Sequence, residues 1–319
     1  MTLQTLEKSV SAFNAHSLSQ NSLEAQVGNT PLLRLEKIER DAGLAPGVAL
    51  YGKAEWFNPS GSVKDRAALN IIRTAEWSGK LRPGMTLLDS TSGNMGIAYA
   101  MLGTVRGYHV KLALPGNASP ERIDILRTYG AELVLTDPLE GSDGAIQEAR
   151  RLAQENPNYF YANQYNNPAN WLAHYHTTAN EIWRQSEGKI THFVAGLGTS
   201  GTFMGTTRRL KELDPRIETI AMQPDSPFNG LEGLKHMPSA IRPGIYDPQL
   251  PDIIHAVRTE DAHEMARRLA RLEGLFLGIS AAAAVVACID LARELNEGVV
   301  VTVLPDNGFK YLRERFWKE

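Results

Sequence analysis

Three times in this chain a short apolar run ends in a loop of glycine and hydroxyl residues that opens straight into a helical pattern. The runs are Val48 to Ala54, Met85 to Asp89 and His192 to Ala195. The loops that follow end in Gly61-Ser62-Val63-Lys64, in Ser90-Thr91-Ser92-Gly93-Asn94-Met95-Gly96 and in Gly196-Leu197-Gly198-Thr199-Ser200-Gly201-Thr202. Further apolar runs at Tyr108 to Leu114, Ala131 to Thr136, Tyr159 to Tyr165, Ile217 to Gln223 and Val299 to Leu304 keep up the alternation with helical patterns. Such alternation predicts an α/β chain with mainly parallel sheet, whose ligands bind at the carboxyl ends of the strands.

Each loop has its own chemistry. After Lys64, residues Ala67, Ala68, Ile71, Ile72 and Ala75 repeat at helical spacing, which puts the lysine in a first helical turn. The positive end of the helix dipole disfavours an ammonium there, and a neutral amine attacks aldehydes. A lone lysine at a helix start is ordinarily a solvated group, so the reading gains its weight from the other two loops. In the second, amides, the Thr91 and Ser92 hydroxyls and the Asn94 carboxamide converge on an anion such as a carboxylate, although the same residues also make an ordinary N-cap. In the third, successive amides and small hydroxyls form a phosphate cradle. No Gly-Lys-Ser/Thr ends this loop, which excludes a Walker motif, while Gly196-x-Gly198-x-x-Gly201 formally matches the dinucleotide fingerprint. Glu218 and Asp225 supply the acidic residue of that fingerprint only loosely. Phosphate binding is therefore better specified than the identity of the cofactor.

The order lysine loop, carboxylate loop, phosphate loop resembles the fold-type II pyridoxal phosphate enzymes, and within them the cysteine synthases (O-acetylserine sulfhydrylases). The similarity extends to Val27-Gly28-Asn29-Thr30-Pro31-Leu32, to Gln164-Tyr165-Asn166-Asn167-Pro168-Ala169-Asn170 and to Gly278-Ile279-Ser280, covering residues 25 to 315. The wording around Asn166 to Asn170 and Thr191 to Thr199 is closest to the type B branch. The resemblance implies a tryptophan synthase β-like fold of two domains, each with a mainly parallel sheet flanked by helices. An arm (1–24) would precede a large cofactor-binding domain (25–57 and 168–319) and a smaller mobile one (58–167).

For the site, it implies pyridoxal 5'-phosphate bound by Lys64, Asn94, Gly198, Thr199, Ser200, Gly201, Thr202 and Ser280. Lys64 is the expected catalytic residue. Thr91, Ser92, Gly93, Asn94, Met95 and Gln164 would hold the substrate. The implied reaction is β-replacement through an α-aminoacrylate, making L-cysteine from O-acetyl-L-serine and sulfide or another sulfur donor. A homodimer, and a serine acetyltransferase or sulfur-carrier protein as partner, come with the family. Alternatives are an O-phosphoserine sulfhydrylase, a cystathionine β-synthase-like enzyme, a dehydratase or a non-catalytic cofactor-binding regulator.

The chain departs from the family pattern at three places. Met95 stands where threonine is usual, Ala281-Ala282-Ala283 follow Ser280 in place of Ser-Gly-Ala, and Asp306-Asn307 replace Ser-Ser before Gly308. Relatives that use O-phosphoserine carry an arginine at the position aligning with Asp225, so a carboxylate there favours acetyl donors. His174 and His176 lack metal-ligand neighbours and are expected at the surface or as caps; no metal is expected.

Composition narrows the field. A net charge of −3 and the lack of any Lys/Arg tract leave nothing to attract nucleic acid. No apolar stretch approaches the ~20 residues needed to span a bilayer. Neither a signal sequence nor a cysteine pair is evident, Cys288 being single, so the expected location is the cytoplasm. Cys288 itself sits in an apolar helical pattern and is expected to be a buried structural thiol.

Overall fold

The expected alternation forms two separate sheets. In the computed structural model, which describes residues 21–91 and 93–318, the ten strands are β1 Leu32–Arg34, β2 Gly47–Ala54, β3 Thr86–Ser90, β4 His109–Pro115, β5 Glu132–Thr136, β6 Tyr159–Tyr161, β7 His192–Gly196, β8 Glu218–Pro224, β9 Ile253–Val257 and β10 Glu297–Leu304. A six-stranded sheet runs β1-β2-β10-β7-β8-β9, and a four-stranded sheet runs β5-β4-β3-β6. Every pairing is parallel except that of β1 with β2.

The α-helices of the described residues are α1 Glu36–Asp41, α2 Lys64–Trp77, α3 Asn94–Arg106, α4 Pro120–Thr128, α5 Gly141–Glu155, α6 Pro168–His176, α7 Thr178–Gln185, α8 Gly201–Leu213, α9 Thr259–Arg268 and α10 Ile279–Ala292. Strands buried on both faces need cover on both. Along β10, Val300 and Leu304 pack into one core with Val48, Leu50 and the alanines of α10, while Val301 and Val303 point the other way onto Phe193, Phe203 and Met204. Ala281, Ala282 and Ala283 are fully buried in the first of these cores, where small side chains let α10 lie close to the sheet. Cys288 is buried there too, with its thiol pushed up by burial. The four-stranded sheet packs Leu87, Leu112 and Leu114 against α2 and α3, and Ala113 against Ala145 and Ala149 of α5.

Some expectations change. The strand expected from Tyr159 to Tyr165 stops at Tyr161, and Asn163 turns the chain with φ +49°. Strands β1 and β9 lie outside the apolar runs read from the sequence: β1 is three residues long, and most of β9 is exposed. The apolar stripe Leu3, Leu6, Val10 and Phe13, and with it most of the expected arm, lies outside the described residues. Among those described, no helix is long and apolar enough to cross a membrane.

Candidate active site

The carboxyl ends of β2, β3 and β7 open into one cleft of about 140 Å³ between the two sheets. Lys64, Thr91, Gly93, Asn94, Met95 and Gln164 line it from one side, and Gly198, Thr199, Ser200, Gly201, Thr202 and Ser280 from the other. Ser92, the remaining expected site residue, lies outside the described residues. The order of the loops along the chain thus becomes convergence in space.

Lys64 is the first residue of α2 and is half-buried in the cleft wall. Burial pushes its ammonium down; Asp306 opposes this and Lys310 adds to it. The position of the loop is set on both sides. Val63 N donates to Pro305 O at 2.8 Å, and Ser62 pairs with Asp306 in an isolated bridge. Ser60 N donates to Asp65 Oδ2 at 2.7 Å, and burial raises that carboxyl to about 6. One residue further on, Arg66 donates from Nε to Glu55 at 2.7 Å and from Nη1 to Glu181 at 2.7 Å, and Lys53 completes the network with Glu181 at 2.7 Å. This charge cluster lies under the first turn of α2 and locks its rotation.

The carboxylate loop follows β3. Thr91 Oγ1 accepts from the amides of Gly93 and Gly96, both at 3.0 Å, so the hydroxyl caps α3 and keeps its own proton to donate. Both readings of this loop, N-cap and anion site, are therefore compatible in one residue. A Cβ on Gly96 would lie 2.7 Å from Thr91 Cγ2, so the closeness of cap and helix requires glycine. Gln164 Nε2 donates to Ser90 O at 2.6 Å and its amide to Asp89 Oδ2 at 3.2 Å. Met95 is buried, half in the cleft lining and half in the core of the four-stranded sheet.

In the phosphate loop, Ser200 adopts φ +69° just before α8 begins, a left-handed turn that aims successive amides into the cleft. Ser200 Oγ is buried with no protein partner among the described residues. An orphaned hydroxyl at a helix start fits a phosphate oxygen. A Cβ on Gly198 would come within 2.2 Å of Gly233 O, so only glycine allows the loop this path.

Asn94, the first residue of α3, is engaged at both ends of its amide. Nδ2 donates to Asp306 Oδ2 at 2.7 Å, and Oδ1 accepts from Lys310 Nζ at 2.8 Å. Asp306 also accepts from Tyr311 at 2.8 Å. Ser280 is buried near the start of α10, where the preceding Gly278 packs directly against Asp306. The Asp-Asn departure therefore builds a buried Asp306–Asn94–Lys310 unit beneath the cleft.

Residues that no motif flagged complete the mouth. Arg122 on α4 forms a two-pronged ion pair with Glu232, one contact being 2.7 Å, and its side chain lies between Gly93 and the Tyr311 ring. Lys235 also lines the cleft and pairs with Asp143 of α5 at 2.6 Å. Arg122 and Lys235 belong to no motif, and only the fold reveals these pairs. Two expectations are corrected. Asp225 is exposed at the end of β8 and does not line the cleft, so it cannot repel a donor phosphate. His174 is neither a surface nor a capping residue: it is buried, bonded to Thr178 at 2.9 Å and 3.3 Å from Thr202, and burial pushes it down to about 3. No cluster of metal-ligating side chains occurs among the described residues.

A lysine, a Ser/Thr/Asn loop and a lysine-free glycine loop thus face one cleft. Residues 23–306 match the pyridoxal-phosphate dependent enzyme family, and the chain belongs to it. Within that family it belongs with the cysteine synthases. It is 53% identical over 291 residues to the cysteine synthase of Aquifex aeolicus, covering 90% of this chain and 89% of that one. To cysteine synthase B of Salmonella typhimurium it is 41% identical, covering 92% and 94%. The crystal structure of cysteine synthase from Entamoeba histolytica superposes with a TM-score of 0.89 at 36% identity, over 96% of this chain and 92% of that one.

Proposed function

We propose that the chain makes L-cysteine and acetate from O-acetyl-L-serine and sulfide, with pyridoxal phosphate in the cleft. The observation that carries the reading is the convergence of Lys64, the Thr91 to Met95 loop, Gln164 and the Gly198 to Thr202 loop on that one cleft. Bound there, pyridoxal phosphate supplies an aldehyde for an amine and a ring that draws electrons from the bonds at the substrate Cα.

The chain's own groups do the rest. Ser200 Oγ, Thr199, Thr202 and the amides from Gly198 to Gly201 hold the phosphate. Ser280 offers the pyridine nitrogen a neutral hydroxyl, and Asn94, steadied by Asp306 and Lys310, faces the ring hydroxyl. Thr91, Gly93 and Gln164 bind the substrate carboxylate and orient Cα. Lys64, whose ammonium burial disfavours, would be the amine that meets the aldehyde and the base that takes the Cα proton at Nζ. Acetate leaves from Cβ and sulfide takes its place, so the first product departs before the second substrate reacts.

The acetyl donor is supported by the cations at the mouth. Arg122 and Lys235 are already neutralised by Glu232 and Asp143, which leaves little positive potential for a phosphate dianion. These same pairs tie residues 122 and 143 to the loop after β8. We take residues 58–167 as the smaller domain that moves when substrate binds, and a homodimer as the working assembly, to be tested by small-angle scattering and sedimentation.

The deciding experiment mixes purified, cofactor-loaded protein with O-acetyl-L-serine and then sulfide while its visible absorbance is followed. A band that shifts with the donor and returns with sulfide as cysteine forms supports the reading. A band unmoved by O-acetyl-L-serine but shifted by O-phospho-L-serine would replace the donor, and a protein that binds no pyridoxal phosphate would end the assignment.

A further inference from the structure

The first turn of α6 carries a side chain used by none of the steps above. Asn170, its third residue, is buried to 1% exposure. Its Nδ2 donates to Gln164 O at 2.8 Å and to Thr199 Oγ1 at 3.0 Å, so both amide hydrogens are committed. Its Oδ1 lies directly against Gly201, where an added Cβ would come within 2.0 Å of it. Gly201 N in turn donates to Thr199 Oγ1 at 3.4 Å. The same turn is tied to the lysine helix, since Asn70 Nδ2 donates to Ala169 O at 2.7 Å. Gln164 continues the path through Ser90 O and Asp89 to the carboxylate loop.

We infer that Asn170 is a positioning residue that couples the phosphate loop to the substrate-carboxylate site, holding Thr199 with one amide hydrogen and the backbone of Gln164 with the other. The inference rests on assigning the Gly198 to Thr202 loop to the cofactor phosphate and Gln164 to the substrate carboxylate. Its physical basis is the rigidity of a short planar amide. One group with two donors fixes the separation of its two acceptors, and Thr199 Oγ1 receives besides it only the longer contact from Gly201 N. Once Thr199 is drawn into place by a bound phosphate, Asn170 and hence Gln164 stand where the substrate carboxylate arrives, and the linkage runs equally in the other direction.

The test uses the full chain, with pyridoxal phosphate titrated into the apoprotein and steady-state kinetics measured on the loaded enzyme. Asn170→Ala is expected to weaken pyridoxal phosphate binding about tenfold, the usual size for a lost buried hydrogen bond with its acceptor stranded. It is also expected to raise KM for O-acetyl-L-serine about tenfold while kcat changes less than about threefold. In a Thr199→Val background the effect of Asn170→Ala on cofactor affinity should fall below about twofold, while its effect on KM persists through Gln164. Equal fold-changes in both backgrounds, or unchanged cofactor affinity, would overturn the coupling. Asn170→Asp keeps the shape and removes both donors, so it should show the raised KM; wild-type KM in that variant would make Asn170 a packing residue only. Wild-type protein that binds no pyridoxal phosphate would remove the cofactor assignment and the proposal together, whereas binding that is indifferent to Asn170 removes the proposal alone.

Discussion

Arg66→Met puts the buried charge cluster under the catalytic lysine to a quantitative test. Arg66 is 3% exposed and makes two bonds to Glu55, at 2.7 and 2.8 Å, and two to Glu181, at 2.7 and 2.8 Å. Methionine fills much of the same volume without charge. Glu55, fully buried, would keep only the neutral donors Thr30 at 2.7 Å and Asn58 at 2.8 Å, and Glu181 would keep Lys53. Burial opposes ionisation of Glu181, yet the Arg66 guanidinium and the Lys53 ammonium together hold it at about 2 against an ordinary 4.5. At about 1.4 kcal/mol per tenfold change in affinity for the proton, that depression corresponds to roughly 3 kcal/mol, of which Arg66 is the larger contributor and Lys53 the smaller. The general cost of breaking a buried pair, about 3–5 kcal/mol, agrees. At about 2–4 °C per kcal/mol for chains approaching this size, Tm at pH 7 should fall by roughly 6–12 °C.

The pH dependence has a definite sign. In the wild type both glutamates are held below their unfolded values, so their contribution is fully present above about 4.5 and is lost only as pH falls below it. In the variant, burial without the guanidinium raises them instead, a cost that is largest at neutral pH and fades as pH falls to 4.5. The stability gap measured by thermal or urea unfolding should therefore narrow between pH 7 and pH 5. A Tm within 2 °C of wild type, or a gap that stays constant over that range, would refute the reasoning. Because Lys64 lies in the same helical turn, kcat/KM should fall along with stability.

Three further outcomes are expected. Lys64→Ala should lose the visible absorbance of the lysine-bound cofactor and at least about 10³-fold of kcat, as removal of a covalent nucleophile does; turnover with an unchanged spectrum would take Lys64 out of its role. Ser200→Ala should leave the Tm of the apoprotein nearly unchanged, since the hydroxyl has no protein partner among the described residues, but weaken pyridoxal phosphate about tenfold in equilibrium titration. Met95→Thr should change KM for the amino-acid donor more than cofactor affinity, because Met95 lines the substrate end of the cleft, and equal kinetics would place it outside the donor's reach.

What the sequence determined by itself was local. A strand, a glycine-rich loop and a helix start are consecutive residues, so the loops carrying Lys64, Thr91, Asn94 and Gly198 to Thr202 were legible from spacing, while Gln164 and Ser280 came only with the family that the motif order resembles. What only the tertiary structure decided depends on partners far apart in the chain. The C-terminal β10 enters the middle of its sheet between β2 and β7, a placement no local pattern encodes. Asp306, met in the sequence as an isolated substitution, turned out to hold Asn94 across 212 residues. Asp225 looked placed to meet a donor and is exposed, whereas Glu232, only seven positions on, reaches Arg122 at the mouth. His174 read as a surface residue because charge and polarity in one dimension do not reveal that α8 covers it. Local propensity is written in neighbouring residues, but burial and ion pairing are written in the packing of elements, and in this chain the packing chose the countercharges of the site.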